Sequence, residues 1–274
     1  MKYCIITLSF FGCYSVSAQQ EKDTAKSSYH LFNPTPHQQM RGFETDRPDA
    51  TESPITLDAG HFQYETDLFK SEKIKTDGVK TISSFYNAAN IKLGITNSLD
   101  LQLTAETFTT NVVKTTGGRT STSGFGGLSV RIKKNLWGNE GGKTALSLLP
   151  FINLPVHPSE KISGGIIFPF AVSFHNGWDF GGQIEIDLVN GEVNSNYHVD
   201  YSISATTSHL ITKNLDFFFE VLASRNNDIK IFEYFFDGGF VYNLRKNVNL
   251  DTGVYYGLKK ISPKTFFVGL SFRI

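Results

Sequence analysis

The stretch Trp178-Asp179-Phe180-Gly181-Gly182-Gln183-Ile184-Glu185-Ile186-Asp187-Leu188 sets Trp178, Phe180, Ile184, Ile186 and Leu188 at alternate positions, with Asp179, Gln183, Glu185 and Asp187 between them. Successive side chains of a β-strand point to opposite faces, so this segment has one apolar and one acidic face. Which of the two meets water decides the fold. In a soluble barrel the apolar face points inward; in a membrane barrel it meets lipid and the polar face lines the lumen.

The same alternation recurs along the chain. Phe62, Tyr64 and Leu68 oppose His61, Gln63, Glu65 and Asp67. Leu99, Leu101, Leu103 and Ala105 oppose Asp100, Gln102, Thr104 and Glu106, and Val199, Tyr201, Ile203 and Ala205 oppose His198, Asp200, Ser202 and Ser204. Leu215, Phe217, Phe219 and Val221 oppose Asp216 and Glu220, and the terminal Phe266, Val268, Leu270, Phe272 and Ile274 oppose Arg273. Twelve strands are predicted near 60–70, 82–95, 99–110, 124–134, 143–155, 165–174, 178–188, 197–209, 215–224, 233–244, 248–258 and 264–274. The fifth alternates poorly, and Pro150 weakens it because proline cannot donate to a ladder.

Between these strands short connections (Thr96 to Ser98, His175 to Gly177, 210–214 and Arg245 to Asn247) alternate with longer polar ones (71–81, 111–123, 156–164, 189–196, 225–232 and 259–263); Asn135 to Gly142 is an exception. Short turns on one side and long loops on the other are the build of an outer-membrane barrel, and strands of about ten residues match a tilted span. Trp137 and Trp178 beside short turns, and Tyr64, Tyr197, Tyr234, Tyr242 and Tyr256 in strands, suit interfacial belts.

Composition agrees. The 274 residues carry 26 Lys and Arg against 26 Asp and Glu, with 24 Phe and 24 Gly. Balanced charge lacks the basic footprint of a nucleic-acid binder. No apolar run is long enough for a transmembrane helix. Residues 1–18 read as a secretory signal peptide: Lys2, the apolar stretch Cys4 to Tyr14, then small residues before a cut at Gln19. Both cysteines, Cys4 and Cys13, fall within it, which leaves the exported chain without disulfide or thiolate chemistry. Residues 19–59 are polar and proline-bearing and read as an N-terminal arm or plug, periplasmic in location, and 60–274 as the barrel. The fold class is therefore all-β: a closed antiparallel up-and-down transmembrane barrel of about twelve strands with a polar arm.

On this orientation the lumen is lined by the acids Glu65, Asp67, Glu106, Asp179, Glu185, Asp187, Asp200, Glu220, Asp237 and Asp251 and by the bases Lys92, Arg131, Lys133 and Arg273. Such an interior is acidic unless Arg41 and Arg47 of the arm fold in and compensate. Tyr86, Phe108, Phe218 and Tyr255 fall on the inward parity too. Barrels of about eight strands are filled by side chains and those of 16–18 leave aqueous channels, so twelve predicts a narrow or partly plugged passage.

The most distinctive string is Glu44-Thr45-Asp46-Arg47-Pro48-Asp49-Ala50-Thr51-Glu52-Ser53-Pro54. It reads as a self-capping turn or as a latch in which Arg47 pairs with lumenal acids. Calcium held by Asp46, Asp49 and Glu52 is a weaker reading, because the spacing is not that of a ligand loop. With Gly60-His61-Phe62-Gln63-Tyr64-Glu65, this string resembles the start of the outer-membrane proteins of the "meta-pathway of phenol degradation" family. The stretches Leu146 to Pro155 and Ser204 to Glu220 are similar as well, so the resemblance covers most of residues 44–274. It implies an outer-membrane channel or transporter for small solutes, aromatic or hydrophobic compounds among them. Outer-membrane lipid and the barrel assembly machinery would be its partners. The resemblance assigns no binding residues and no cofactor.

His30, His37, His61, His157, His175, His198 and His209 show no metal-ligand spacing. His198 with Ser202 or Ser204 would serve an outer-membrane hydrolase, yet same-face residues four apart lie roughly 13 Å apart on a strand. No catalytic group, metal or cofactor is expected. The readings that compete with a channel are a barrel enzyme, such as a lipid or ester hydrolase, and a structural or adhesive barrel.

Overall fold

A computed structural model describes Lys26 and residues 28–157, 161–174, 177–191 and 196–274. The expected signal peptide, residues 19–25 of the arm and His175 lie outside the described residues. The strands are β1 (Phe62–Thr76), β2 (Val79–Thr96), β3 (Leu99–Thr115), β4 (Gly118–Gly124), β5 (Gly127–Trp137), β6 (Thr144–Leu154), β7 (Ser163–Ser173), β8 (Trp178–Asn190), β9 (Tyr197–Thr212), β10 (Leu215–Asn226), β11 (Ile231–Arg245), β12 (Val248–Gly257) and β13 (Lys264–Arg273). Every ladder is antiparallel; sequence neighbours pair, except that β5 pairs with β3 past β4 and that β13 returns to β1 and closes the cylinder. β4 and β5 lie end to end along β3, β5 against Leu99–Glu106 and β4 against Thr109–Thr115, so thirteen segments make twelve staves.

The apolar face is outside. Phe180, Ile184, Ile203, Val221, Phe240 and Phe266 are exposed, whereas Glu65, Lys92, Gln102, Lys133, Glu220 and Asp237 are buried inside. No water lies in a bilayer to satisfy a strand edge, and closure leaves none across the span.

Two expectations fail at the long-loop end. Residues 71–81 and 111–123 are mostly strand: β1 and β2 are joined by Asp77-Gly78 alone, both with positive φ (49° and 81°), the geometry of a tight hairpin turn. Where the ribbon outgrows the membrane, neither face need be apolar, so the alternation that marks a strand fades while the ladder continues.

The second concerns facing. Tyr86 and Phe108, expected inside, are 42% and 46% exposed on the outer surface. The registers skip Leu68, Asn87 and Thr107, a bulge that crosses three strands at one level. One inserted residue reverses every side chain beyond it. Asn87 makes the turn in a left-handed conformation (φ 55°), and its Oδ1 accepts from the Tyr64 hydroxyl at 2.6 Å and Thr66 Oγ1 at 3.0 Å. Phe69, Tyr86 and Phe108 then form a row on the outer face.

β6 forms despite Pro150. Its ladder with β5 passes over Ile132 and Lys133, opposite Leu149 and Pro150, where the prolyl nitrogen has no hydrogen to give.

Candidate functional site: the loop inside the barrel

Ahead of β1 the chain enters the lumen from the short-turn end and returns, as a loop spanning residues 41–58. Its base is closed by Arg41, whose backbone N–H donates to Asp58 Oδ2 at 3.0 Å and whose Nε lies 3.1 Å from Oδ1. Arg273 of β13 donates to the carbonyls of Arg41 and Gly42. On the way in, Gln63 donates to the Glu44 carbonyl at 2.7 Å. On the way out, Leu57 N–H donates to Asp100 at 2.9 Å and Asn135 to the Pro54 carbonyl at 2.8 Å.

At its tip, charged side chains of loop and wall pair. Asp46 sits between Lys133 and Lys92, each at 2.5 Å, and Lys92 also pairs with Glu65. Glu65 Oε2 in turn accepts the N–H groups of Asp46 and Arg47, at 3.0 and 3.1 Å. The Arg47 guanidinium lies 2.7 Å from both Asp67 and Asp251. Asp67, Gly269 and Asp251 stand in one row across β1, β13 and β12, and a Cβ at Gly269 would collide with the Arg47 guanidinium. Glycine is thus the residue that lets a guanidinium lie flat between two carboxylates. Tyr255 donates to the Pro48 carbonyl at 2.8 Å. Glu220 accepts from the N–H groups of Ala50 and Thr51 at 2.9 and 2.8 Å, while Glu52 pairs with Arg131 and its N–H donates to Gln183 at 2.8 Å. Buried charges need such partners, because desolvation is otherwise not offset.

The loop leaves space on both sides. Toward the short turns lie cavities of about 410 Å³, lined by Glu44, Asp179, Thr206 and Asp216, and of about 550 Å³, lined by Arg41, Glu44, Glu140 and Asp179. Toward the projecting hairpins a cavity of about 300 Å³ is lined by Asp67, Lys70, Glu106 and Arg131. Glu140, in the β5–β6 turn, holds Lys26 at 2.7 Å and Arg41 at 3.2 Å. Burial opposes its ionisation, but these cations and Asn97 outweigh burial and hold its carboxyl below the ordinary range.

Of the residues singled out in the sequence, Glu65, Asp67, Lys92, Arg131, Lys133, Glu220 and Asp251 meet the loop. Asp237 stands opposite Glu220 on the neighbouring strand. Asp179 and Glu106 line the cavities, while Asp187 stands opposite Asp200 and Glu185 opposite Ser202, on β8 and β9. Arg41 and Arg47 do fold in, together with Glu44, Asp46, Asp49, Glu52 and Asp58. Asp46 and Glu52 share Lys133, at 2.5 and 3.8 Å, and each has a second cation, Lys92 for Asp46 and Arg131 for Glu52, while Asp49 lines the 410 Å³ cavity. Among the described residues no group of three potential ligands gathers as a metal site. His198 pairs with Asp200 at 3.2 Å, while Ser204 bonds Thr51 at 2.5 Å, so the hydrolase pair is not assembled. Among the wall's neutral contacts, Gln63, Gln183 and Tyr255 stand on the inward parity read from the sequence, whereas Asn135, expected in a connection, belongs to β5.

A closed barrel of twelve staves, apolar outside and polar within, is the architecture of an outer-membrane β-barrel. The sequence matches the family described as "Putative MetA-pathway of phenol degradation" over residues 45–274, and the chain belongs to that family. No curated protein matches it. Its fold is similar to that of the COG4313 outer membrane channel from Pseudomonas putida F1, with a TM-score of 0.57 at 12% identity over 84% of this chain and 99% of that one. Weaker likenesses are to the KdgM porin in complex with disordered oligogalacturonate (TM-score 0.49, 8% identity, 77% of this chain and 98% of that one) and the CymD monoaromatic hydrocarbon channel (0.43, 10%, 78% and 87%).

Proposed function

We propose that this chain is an outer-membrane channel for small solutes whose lumen is closed at rest by the 41–58 loop. The observation that carries this reading is the way the loop is held. It is fastened by ion pairs and single hydrogen bonds to a polar wall, with unfilled cavities on either side of it. Polar contacts of this kind can exchange for water when the loop leaves. Small aromatic or hydrophobic compounds are the proposed solutes, in line with the family description, and the chain acts without catalysis.

The test is conductance in planar bilayers. Deleting residues 19–59 is expected to convert a closed or slightly conducting barrel into an open one. Unchanged conductance would instead favour a structural or adhesive barrel. Liposomes carrying the deleted form, offered phenol and a sugar of similar mass, then test the solute class. Equal uptake of both would overturn the aromatic preference.

A further inference from the structure

On the hairpins that project past the membrane, four cations stand side by side. The registers put Lys75 of β1 opposite Lys80 of β2, Lys80 opposite Lys114 of β3, and Lys114 opposite Arg119 of β4. All four are exposed. Parity places them outward: Phe69, Tyr86 and Phe108 lie on the outer face, and each cation follows at an even number of residues along its ladder, beyond the bulge. Two positions closer to the membrane, Lys73 faces Lys264, whose Nζ lies 4.5 Å from the Tyr256 ring centroid.

Among the described residues no acid on that face balances them. The neighbouring outward positions are Ile82, Val112 and Ser121. Glu72 is on the inner face, and Asp77 in the turn makes no ion pair with them. Like charges directly opposite one another destabilise a sheet. A ladder of four is therefore a cost unless an anion lies against it. The row sits about 20 Å along the strands from the Phe69–Tyr86–Phe108 row, at roughly 3.3 Å per residue. Strand tilt reduces that to roughly 15 Å along the barrel axis, outward of the apolar band that faces lipid.

We infer that this ladder binds the phosphate groups of the phosphorylated glycolipid of the outer leaflet. Two features select a lipid: the cations share a face with the lipid-contacting aromatics, and a row four strands wide offers several phosphates simultaneous contact. The inference depends on the membrane orientation of the barrel and not on transport.

The test uses the full barrel in neutral detergent micelles, titrated with lipid A, a bisphosphorylated acylated disaccharide. Wild type is expected to bind with an affinity that falls as salt rises. K75Q/K80Q/K114Q/R119Q should weaken binding at least tenfold, while K134Q/K213Q/R245Q/K246Q, which removes as many charges from the opposite end, should leave it unchanged. Heat-modifiable migration reports folding; if the quadruple variant fails it, K80Q/K114Q and the charge-keeping K80R/K114R serve instead, with loss in the first and retention in the second. Equal binding by wild type and the ladder variant overturns the proposal. So does equal loss in the control, or equal affinity for soluble glucosamine phosphate, which would make the ladder a site for free anions.

Discussion

Arg47 illustrates what a single side chain does in this lumen. It closes a row of two carboxylates over a glycine, with the guanidinium donating through Nε and Nη2 to Asp251 and through Nη1 to Asp67. Removing one partner of a buried pair costs about 3 kcal/mol or more, roughly a hundredfold in a docking equilibrium. Arg47→Ala is therefore expected to raise the open probability in bilayers strongly, and Arg47→Lys to do so less, since a point charge loses the fork on Asp251. An alanine variant that gates like wild type would remove Arg47 from the latch. Glu140 acts with pH. Its carboxyl is held below the ordinary value of 4.5, so its contribution to anchoring Lys26 and Arg41 is complete above that pH and lost as pH falls through the lowered value. Wild type should open on acidification below about 4.5, and Glu140→Gln should be raised already at neutral pH and respond less. The sequence made the string around Arg47 conspicuous by its charge and prolines. It could not show that Asp46 would choose Lys92 and Lys133, because alternation gives the side a residue faces and not the height at which a crossing loop meets it.

At the level of elements, the alternation located the staves because a lipid-facing surface demands an apolar residue at every second position. Where that demand ends, so does the signal: Ser71 to Thr76 and Asn111 to Thr115 pair as strands with no apolar face to betray them. The bulge is hidden for a different reason. Leu68, Asn87 and Thr107 are ordinary strand residues, and the shift becomes visible only when three ladders skip at one level. Asn87 is the member of that bulge with a required conformation. A β-branched residue at φ 55° is strained by about 1–3 kcal/mol, and loss of the amide also strands the Tyr64 hydroxyl. Asn87→Val should lower the temperature at which folded migration is lost in semi-denaturing electrophoresis, and Asn87→Gly, which tolerates the backbone, should lower it less. Equal stability of all three would mean that the level of the bulge is fixed by the registers alone.

For the whole molecule the question is what field a solute crosses once the loop has left. Folding in Arg41 and Arg47 does not neutralise the interior, because Glu44, Asp46, Asp49, Glu52 and Asp58 enter on the same segment. Removing the segment leaves the wall: acids such as Glu65, Asp67, Glu220, Asp237 and Asp251, against Lys92, Arg131, Lys133 and Arg273. The bases stand on β2, β5 and β13, where Asp46, Glu52 and Asp58 of the loop had paired with them, while β10 to β12 are acidic through the middle of the barrel. Low-dielectric walls focus such a field along the axis. The barrel lacking residues 19–59 should therefore give a reversal potential in a potassium chloride gradient of the sign set by potassium permeation. Glu220→Gln with Asp237→Asn should shift it toward zero, and raising the salt should do the same by screening. Chloride selectivity in the open form would mean that the lysines on β2 and β5, freed from the loop, control the pore, and that the acidic strands stand outside the path of the ion.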